Sequence, residues 1–334
     1  MISALDPVTL NSWYPALKAD ALNAGEHKPA RLFDHDFIIW RSGDGLRAFE
    51  DRCPHRGTRL SLSDRTCVDV LSCPYHGWEF DASGACTAMP AQPGGVAIGN
   101  VALNAVKVTE AYGLAWLCLG PEPADEPEFD GVDAQFALAI SGPHSVAAAG
   151  PRIIENFLDM SHFPFVHQGY LGDDVSAQVP NYKVYVDDAG VHVRDLVVTQ
   201  PKANLLANTP QDIRYTYDVI APLQAILTKV EHLPDPPQPK RPDDIIAMLV
   251  QPVSGDSSVA WTVLARSYGL EQDEADFISF QDTIFLQDKA ILESQQPKPL
   301  PLNLAQEKHQ TCDKVSLAYR RWLSKQGVTF GVSL

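Results

Sequence analysis

The sequence predicts an α+β protein in which a small all-β unit precedes a larger domain with an antiparallel sheet and C-terminal helices. Three observations predict this class. Short apolar runs separated by turn residues fill the first 120 positions, paired strand-like runs return after position 180, and two stretches with helical spacing end the chain.

Three hairpins are expected in the N-terminal unit, because glycine, aspartate and serine stand between short β-prone runs. The paired runs are 37–41 with 46–49, 78–80 with 85–87, and 106–108 with 114–117. A connector rich in proline and acidic residues follows at 121–131. Such a segment is typical of a domain boundary. The predicted domains are therefore 1–130 and 131–334.

The second domain begins with a predicted helix and continues with two strand pairs and two helices. The helices are expected at 153–161, 273–295 and 305–325, and the strand pairs at 182–186 with 191–198 and 245–250 with 259–266. Residues 234–242 hold five prolines. They predict an exposed loop, with a lid over a pocket as the alternative.

Composition excludes several classes of function. The net charge is −16, which opposes binding to nucleic-acid phosphates. No run of 18 apolar residues predicts a membrane span, and no basic start followed by an apolar run predicts a secretory signal. Six cysteines are too few for a disulfide scaffold. These features predict a protein of the cytoplasm.

Two short motifs carry the first candidate metal site. Cys53 and His55 form Cys-x-His, and Cys73 and His76 form Cys-x-x-His after a gap of seventeen residues. Each motif follows a strand-like run and precedes a glycine. Two thiolates and two imidazoles suit either a structural zinc ion or a Rieske [2Fe-2S] cluster, in which imidazoles replace thiolates on one iron.

A second candidate site lies in the run from Glu155 to His167. On a helix, Asp159 and His162 share a face, whereas His167 does not. Pro164 disfavours a helical Phe163, so a bend there is expected to turn both imidazoles toward one metal. Two imidazoles and a carboxylate with open positions form the facial triad of non-haem Fe(II) oxygenases.

The third ligand is expected on the helix at 273–295. Asp288 has apolar helical neighbours, and a carboxylate on such a face requires a partner, which a metal provides. Asp282 also has apolar neighbours and is the second candidate. Glu293 lies four residues after Lys289 and is expected to form a solvated ion pair. We therefore predict His162, His167 and Asp288 as the metal ligands.

These motifs, in this order and at this chain length, resemble the Rieske non-haem iron oxygenases. The positions where respiratory Rieske proteins place an extra cysteine hold Arg56-Gly57 and Gly77-Trp78 here, so the oxygenase branch is the closer match. The run 287–295 resembles the third-ligand helix of vanillate and dicamba O-demethylases. The resemblance implies a helix-grip catalytic domain, a Rieske cluster and mononuclear Fe(II).

The resemblance also implies a role for Asp159, which would connect His162 to His76 of another subunit in a homotrimer. Asn156 lies on the same helix face, and either joins this network or only packs. Because the chain has no Gly-x-Gly-x-x-Gly segment and no second cysteine set, electrons are expected from an NAD(P)H-dependent reductase, with or without a ferredoxin.

The expected activity is that of a terminal oxygenase acting with O2 on a small aromatic or cyclic organic substrate. Demethylation or monohydroxylation is preferred because the short chain resembles oxygenases without a small subunit. A ring dioxygenase and a hydroxylase of alicyclic natural products are the alternatives within the family. A Rieske electron carrier without catalysis and a zinc-stabilised binding protein are the alternatives outside it.

Overall fold

The computed structural model describes residues 5–92, 100–173, 177–233 and 241–334. They form two compact units that divide between Pro127 and Glu128. This division lies three residues before the predicted domain limits, which stay a proposal at 1–130 and 131–334. Most of the proline-rich segment, 234–240, lies outside the described residues. No helix in the described ranges is long and apolar enough to cross a membrane.

The first unit contains two antiparallel sheets and one short helix. Its elements are α1 (Pro7–Asn11), β1 (Tyr14–Lys18), β2 (His27–Leu32), β3 (His35–Ser42), β4 (Gly45–Glu50), β5 (Leu71–Ser72), β6 (Glu79–Phe80), β7 (Cys86–Ala88), β8 (Ala105–Ala111) and β9 (Leu114–Cys118). Six strands pair in the order β1-β9-β8-β4-β3-β2, and β5, β6 and β7 form the second sheet.

The three predicted hairpins are present in this unit. β3 and β4 are joined by two residues, β8 and β9 by Tyr112 and Gly113, and β6 pairs with β7. Tyr112 and Gly113 both have positive φ, as a two-residue turn matched to strand twist requires. The hairpins enclose an apolar core that includes Trp40, Phe49 and Phe80.

The second unit is built on one seven-stranded antiparallel sheet. Its strands are β10 (Ala137–Val146), β11 (Lys183–Val186), β12 (Val191–Gln200), β13 (Gln211–Ala221), β14 (Gln224–Glu231), β15 (Asp244–Ser254) and β16 (Ser257–Arg266). They pair in the order β10-β16-β15-β14-β13-β12-β11. Register shifts in four of the pairings mark bulges, which bend the sheet.

Four helices and a small parallel pair complete this unit. They are α2 (Gly150–Leu158), α3 (Phe163–Val166), α4 (Glu274–Ser294), α5 (Lys314–Gln326), β17 (Leu300–Pro301) and β18 (Val332–Ser333). α2 packs against the sheet and against both α4 and α5, and α4 also packs against β10. This packing brings the α2–α3 segment next to the middle of α4.

Three helix predictions need correction. The first helix covers 150–158 rather than 153–161, because Pro151 favours a first turn that begins at Gly150 and Asp159 has extended backbone angles. Phe163 is helical, since Pro164 stands in the first turn of α3, where its missing N–H costs no hydrogen bond. The last helix starts at Lys314 rather than at residue 305, after two short 3₁₀ turns.

The hairpin β13–β14 was not predicted, although the sequence carries its pattern. Ile213, Tyr215, Tyr217 and Val219 alternate along β13 and are all buried. Such alternation indicates a strand with one face in the core. This missed strand lines the cavity described below.

Candidate metal centres

Two loops of matching geometry hold the cysteines and histidines of the first unit. The amide of Cys53 donates to the Thr58 carbonyl, and the amide of Gly57 donates to the Cys53 carbonyl. In the second loop, Cys73 and Gly77 make the corresponding bonds, with the carbonyls of Trp78 and Cys73. Gly57 and Gly77 both have φ near +70°, a region that favours glycine.

The loops place the four candidate ligands in two environments. Cys53 and Cys73 are buried in the apolar core, 1% and 2% exposed. The rings of His55 and His76 lie at the surface with centroids 4.5 Å apart, and the Trp78 indole stacks on His55 at 4.6 Å. The buried end therefore offers thiolates and the outer end offers imidazoles.

The chemistry of these groups fits a Rieske cluster. Burial raises the pKa of Cys53 to about 11, so its thiolate requires the positive charge of a metal at neutral pH. Desolvation and the charges of His76 and Arg56 lower the pKa of His55, which favours the neutral imidazole that binds metals. Both pKa shifts are compatible with a cluster bound between the two loops.

His162, His167 and Asp288 converge in the second unit. His162 is the N-cap residue of α3 and His167 its C-cap residue, so one helical turn separates them. Their Nε2 atoms are 3.1 Å apart. Oδ1 of Asp288, from the middle of α4, lies 3.3 Å from Nε2 of His162 and 3.2 Å from Nε2 of His167. These three side chains are therefore close enough to bind a single metal ion.

These separations fit one metal ion. Ligand atoms about 2.1 Å from a metal and at right angles to one another lie about 3 Å apart. The three observed separations of 3.1–3.3 Å are close to that value. His167 and Asp288 are buried, which disfavours an uncompensated carboxylate and favours a cation at this place.

Gln287 also contacts this centre, although the sequence had not predicted it as a site residue. Its Oε1 atom lies 2.8 Å from Nδ1 of His167, so it accepts the ring hydrogen and leaves Nε2 free to bind a metal. Gln287 and Asp288 are adjacent on α4 and both contact His167. Only its position next to Asp288 could have pointed to Gln287.

Asp159 and Asn156 contact different residues of the triad. Asp159, just beyond the end of α2, lies 3.3 Å from Nδ1 of His162 and accepts from the amide of Ser161 at 2.8 Å. Burial raises the pKa of Asp159, but its bonds to His162 and Ser161 outweigh burial and hold that pKa below its ordinary value. Asn156 donates to Oδ1 of Asp288 at 3.3 Å.

The other two candidate carboxylates on α4 have different partners. Asp282 accepts from Ser141 at 2.5 Å and lies 3.0 Å from Nε2 of His144, both on β10. Asp282 is therefore outside the triad and links α4 to the sheet. Glu293 pairs with Lys289 at 2.5 Å, as predicted, and also accepts from the amide of Ala147.

The triad lies at one wall of a largely apolar cavity within the second unit. All three residues line it, and the helices and the sheet supply the other walls. The polar lining side chains are Asn156, Tyr215, Tyr217, Lys229, Thr262 and Gln281, and the apolar ones include Phe157, Phe163, Leu227, Ile246, Met248, Phe280 and Ile284. Such a cavity admits a small, mostly apolar molecule next to the metal.

Comparison with known families shows which family the chain belongs to. The Rieske [2Fe-2S] domain matches residues 12–108. The vanillate O-demethylase oxygenase C-terminal domain matches residues 146–327, which is 182 of the 334 residues. The chain belongs to the Rieske oxygenase family.

Related proteins support this assignment along most of the chain. The probable methylxanthine N7-demethylase NdmC of a Pseudomonas strain is 39% identical over 227 residues, which cover 66% of this chain and 78% of NdmC. The methylxanthine N1-demethylase NdmA of Pseudomonas putida is 31% identical over 301 residues, 88% of this chain and 80% of NdmA.

Solved structures show the same fold. NdmA with caffeine superposes with a TM-score of 0.79 at 26% identity, over 94% of this chain and 90% of NdmA. Dicamba monooxygenase bound to dicamba gives a TM-score of 0.80 at 22% identity, over 95% of this chain and 97% of that one. The predicted fold class is confirmed, with the all-β Rieske domain followed by a curved antiparallel sheet and C-terminal helices.

Membership in this Rieske oxygenase family confirms the predicted activity and cofactors. The protein is a terminal oxygenase that uses O2 and two externally supplied electrons to hydroxylate or oxidatively demethylate a small aromatic or cyclic substrate. Its cofactors are a Rieske [2Fe-2S] cluster and a mononuclear iron. Its electrons come from a reductase partner. It is an enzyme rather than a zinc-stabilised binding protein or an electron carrier.

Proposed function

We propose that this Rieske oxygenase removes a methyl group from a nitrogen or oxygen atom of a small planar ring. The observation that carries the proposal is the His162–His167–Asp288 triad on the wall of a narrow apolar cavity. A flat ring fits between aromatic and aliphatic walls, and its methyl group can reach the metal there. Hydroxylation of that methyl carbon gives a hemiaminal or hemiacetal, which releases formaldehyde.

Within this proposal, each candidate ligand has a role. Cys53, His55, Cys73 and His76 hold the cluster, and His162, His167 and Asp288 hold Fe(II). The bound iron supplies O2 chemistry with electrons delivered through the cluster. The protein's own contribution would be to hold the three ligand side chains at the cavity wall, to fix His167 through Gln287, and to exclude water with apolar walls.

Methylxanthines are the first substrates to test. NdmC and NdmA are named as methylxanthine demethylases and match most of this chain. The polar side chains in the cavity can recognise the ring heteroatoms of such compounds. We therefore choose caffeine and theobromine as first probes, with a methoxylated aromatic acid as the comparison.

Electron delivery to the iron requires a neighbouring subunit and a reductase in this proposal. We propose a homotrimer in which Asp159 links His162 to His76 of a neighbouring subunit, with Asn156 supporting the metal side through Asp288. The reductase is NAD(P)H-dependent, and a ferredoxin is included only if the reductase requires one. Because such a reductase draws on cytoplasmic NAD(P)H and none of the six cysteines forms a disulfide, we propose a cytoplasmic location.

The test is turnover by the purified, iron-loaded protein with a surrogate reductase. Formaldehyde and the demethylated product are measured with and without O2, using caffeine, theobromine and the methoxylated acid. O2-dependent formaldehyde in a one-to-one ratio with the demethylated ring supports the proposal. A ring-hydroxylated product without formaldehyde would contradict demethylation and favour a ring dioxygenase or alicyclic hydroxylase.

A further inference from the structure

A row of polar side chains crosses the sheet at the cavity. Tyr215 on β13 stands directly opposite Lys229 on β14, and Lys229 stands opposite Asp244 on β15. Residues opposite one another in an antiparallel sheet share a face. Lys229 lines the apolar cavity that holds the triad and also a smaller polar cleft beside Asp244. The row therefore brings a cation to the substrate cavity.

Lys229 is buried, with 7% of its side chain exposed. Its Nζ atom donates to the carbonyl of Ala203 and lies 3.6 Å from Oδ2 of Asp244. It also lies 5.9 Å from the centre of the Tyr215 ring. An ammonium group has three N–H donors; among the residues that the structure describes, the Ala203 carbonyl accepts from one, and the Asp244 carboxylate forms an ion pair with the group. Because Lys229 lines the cavity, its remaining donor capacity can serve a molecule bound there.

Asp244 compensates the charge of Lys229. It is 3% exposed, and its Oδ1 atom accepts from the Tyr268 hydroxyl at 2.8 Å. Arg266, opposite Asp244 on β16, donates to the carbonyls of Tyr268 and Gly269 and stacks 3.8 Å from the Phe277 ring. A substrate carboxylate at Lys229 would lie beside the Asp244 carboxylate, and two buried like charges repel one another.

We propose that Lys229 recognises the substrate by donating a hydrogen bond to a neutral ring carbonyl, so that the enzyme prefers uncharged methylated rings with such an oxygen over methylated aromatic carboxylates. This rests on the proposed demethylase function and adds the substrate class to it. Lys229 is a specificity-determining residue in this account. The aromatic and aliphatic walls contribute shape and the lysine contributes orientation.

Anaerobic binding tests this proposal independently of turnover. The probes are caffeine and 1-methyl-2-quinolone, which carry ring carbonyls, N-methylindole, which carries none, and 4-methoxybenzoate. Dissociation constants are measured by calorimetry on the reduced, iron-loaded protein and on Lys229→Met. Lys183→Met is the matched control, because Lys183 is 63% exposed and its β11 position is not part of the cavity lining.

Loss of one hydrogen bond from a charged donor is expected to weaken binding of both carbonyl probes about 10-fold to 100-fold. N-Methylindole should change by less than about threefold, and 4-methoxybenzoate should not bind wild type more tightly than the carbonyl probes. Equal losses for N-methylindole and the carbonyl probes would overturn the role of Lys229. Preferred binding of 4-methoxybenzoate that depends on Lys229 would overturn the neutral substrate class.

Lys229→Met leaves the Asp244 carboxylate buried without its cation, which can disturb folding. A second comparison therefore separates the loss of the hydrogen bond from misfolding. The double variant Lys229→Met/Asp244→Asn is compared with Asp244→Asn alone, which keeps the lysine donor. The same selective loss for the carbonyl probes is expected between these two proteins. The two proposals can fail separately. If the Lys229→Met variants lose binding of the carbonyl probes selectively but the wild type releases no formaldehyde from any probe, Lys229 recognises the ring carbonyl and the demethylase function is rejected.

Discussion

The Oε1 atom of Gln287 lies 2.8 Å from Nδ1 of His167, a residue 120 positions earlier in the chain. The other ring nitrogen of His167 lies 3.2 Å from Asp288, the next residue on the same helix. α4 therefore supplies one candidate ligand and orients another. Displacement of this helix would disturb both at once.

The contact between Gln287 and His167 predicts a loss of metal affinity when it is removed. Gln287→Leu should weaken iron binding about 10-fold to 100-fold, because His167 loses the acceptor that fixes its tautomer. Leu286→Gln is the control, since Leu286 is 52% exposed on the same helix. Iron titration of the apoprotein measures the effect. Unchanged affinity in Gln287→Leu would show that the triad alone orients His167.

Removal of a triad residue should separate the two iron sites. In His162→Ala or Asp288→Ala, we expect turnover to fall below detection while the visible spectrum of the cluster stays as in wild type. The reason is that the cluster loops belong to a different folding unit from the triad. Metal analysis and product formation are measured together. Turnover near the wild-type rate in either variant would exclude that residue as an iron ligand.

Asp159→Asn tests electron transfer rather than metal binding. The substitution preserves size but removes the charge next to Nδ1 of His162. Both metals should remain bound while most steady-state activity is lost, since the carboxylate couples the two centres in the proposed trimer. The rate of cluster oxidation by O2 and substrate is the direct readout. A fully active Asp159→Asn protein would refute the bridging role.

A buried ion network beside α2 predicts a pH effect on stability. Glu307 accepts hydrogen bonds from Arg152 at 2.8 Å and Arg320 at 2.5 Å, and both arginines are buried. Burial raises the pKa of Glu307, but the two arginines outweigh burial and hold that pKa below its ordinary value. A carboxylate with a depressed pKa stabilises the fold above its unfolded pKa and loses that contribution as the pH falls through its folded pKa.

Glu307→Gln should therefore destabilise the protein by roughly 2 kcal/mol at pH 7, because two buried arginines lose a charged acceptor. The difference from wild type should shrink as the pH falls below about 4.3, the ordinary pKa of a glutamate, toward the lower pKa of Glu307 in the fold. Urea unfolding between pH 3.5 and pH 7 measures both proteins. A difference that is constant over this range would show that Glu307 acts through packing rather than through its charge.

Much of the site could be predicted because its chemistry is encoded in short spacings. Cys53, His55, Cys73 and His76 are contained in two five-to-six-residue motifs, and His162 and His167 lie on either side of one helical turn. Asp288 and Asp282 both have apolar helical neighbours, and the resemblance of the run 287–295 to a third-ligand helix favoured Asp288. The roles of these residues remain predictions, but the structure brings His162, His167 and Asp288 to within 3.3 Å of one another.

The remaining features depend on contacts between distant segments. Lys229 faces the cavity only because β14 lies between β13 and β15, and a lysine in an apolar run carries no local sign of that burial. Asp282 meets Ser141 and His144 across the β10–α4 contact. The end of α2 before Asp159 is set by local backbone geometry that the apolar spacing did not reveal. Tertiary packing decides each of these positions.

The most direct test of the two-centre account compares iron content and EPR spectra of wild type and Asp288→Ala. Both proteins are purified anaerobically and reduced with dithionite. The account predicts about three irons per chain in wild type and about two in the variant, with the same rhombic Rieske signal in both. An EPR-silent protein that contains zinc, or equal iron content in the two proteins, would contradict it.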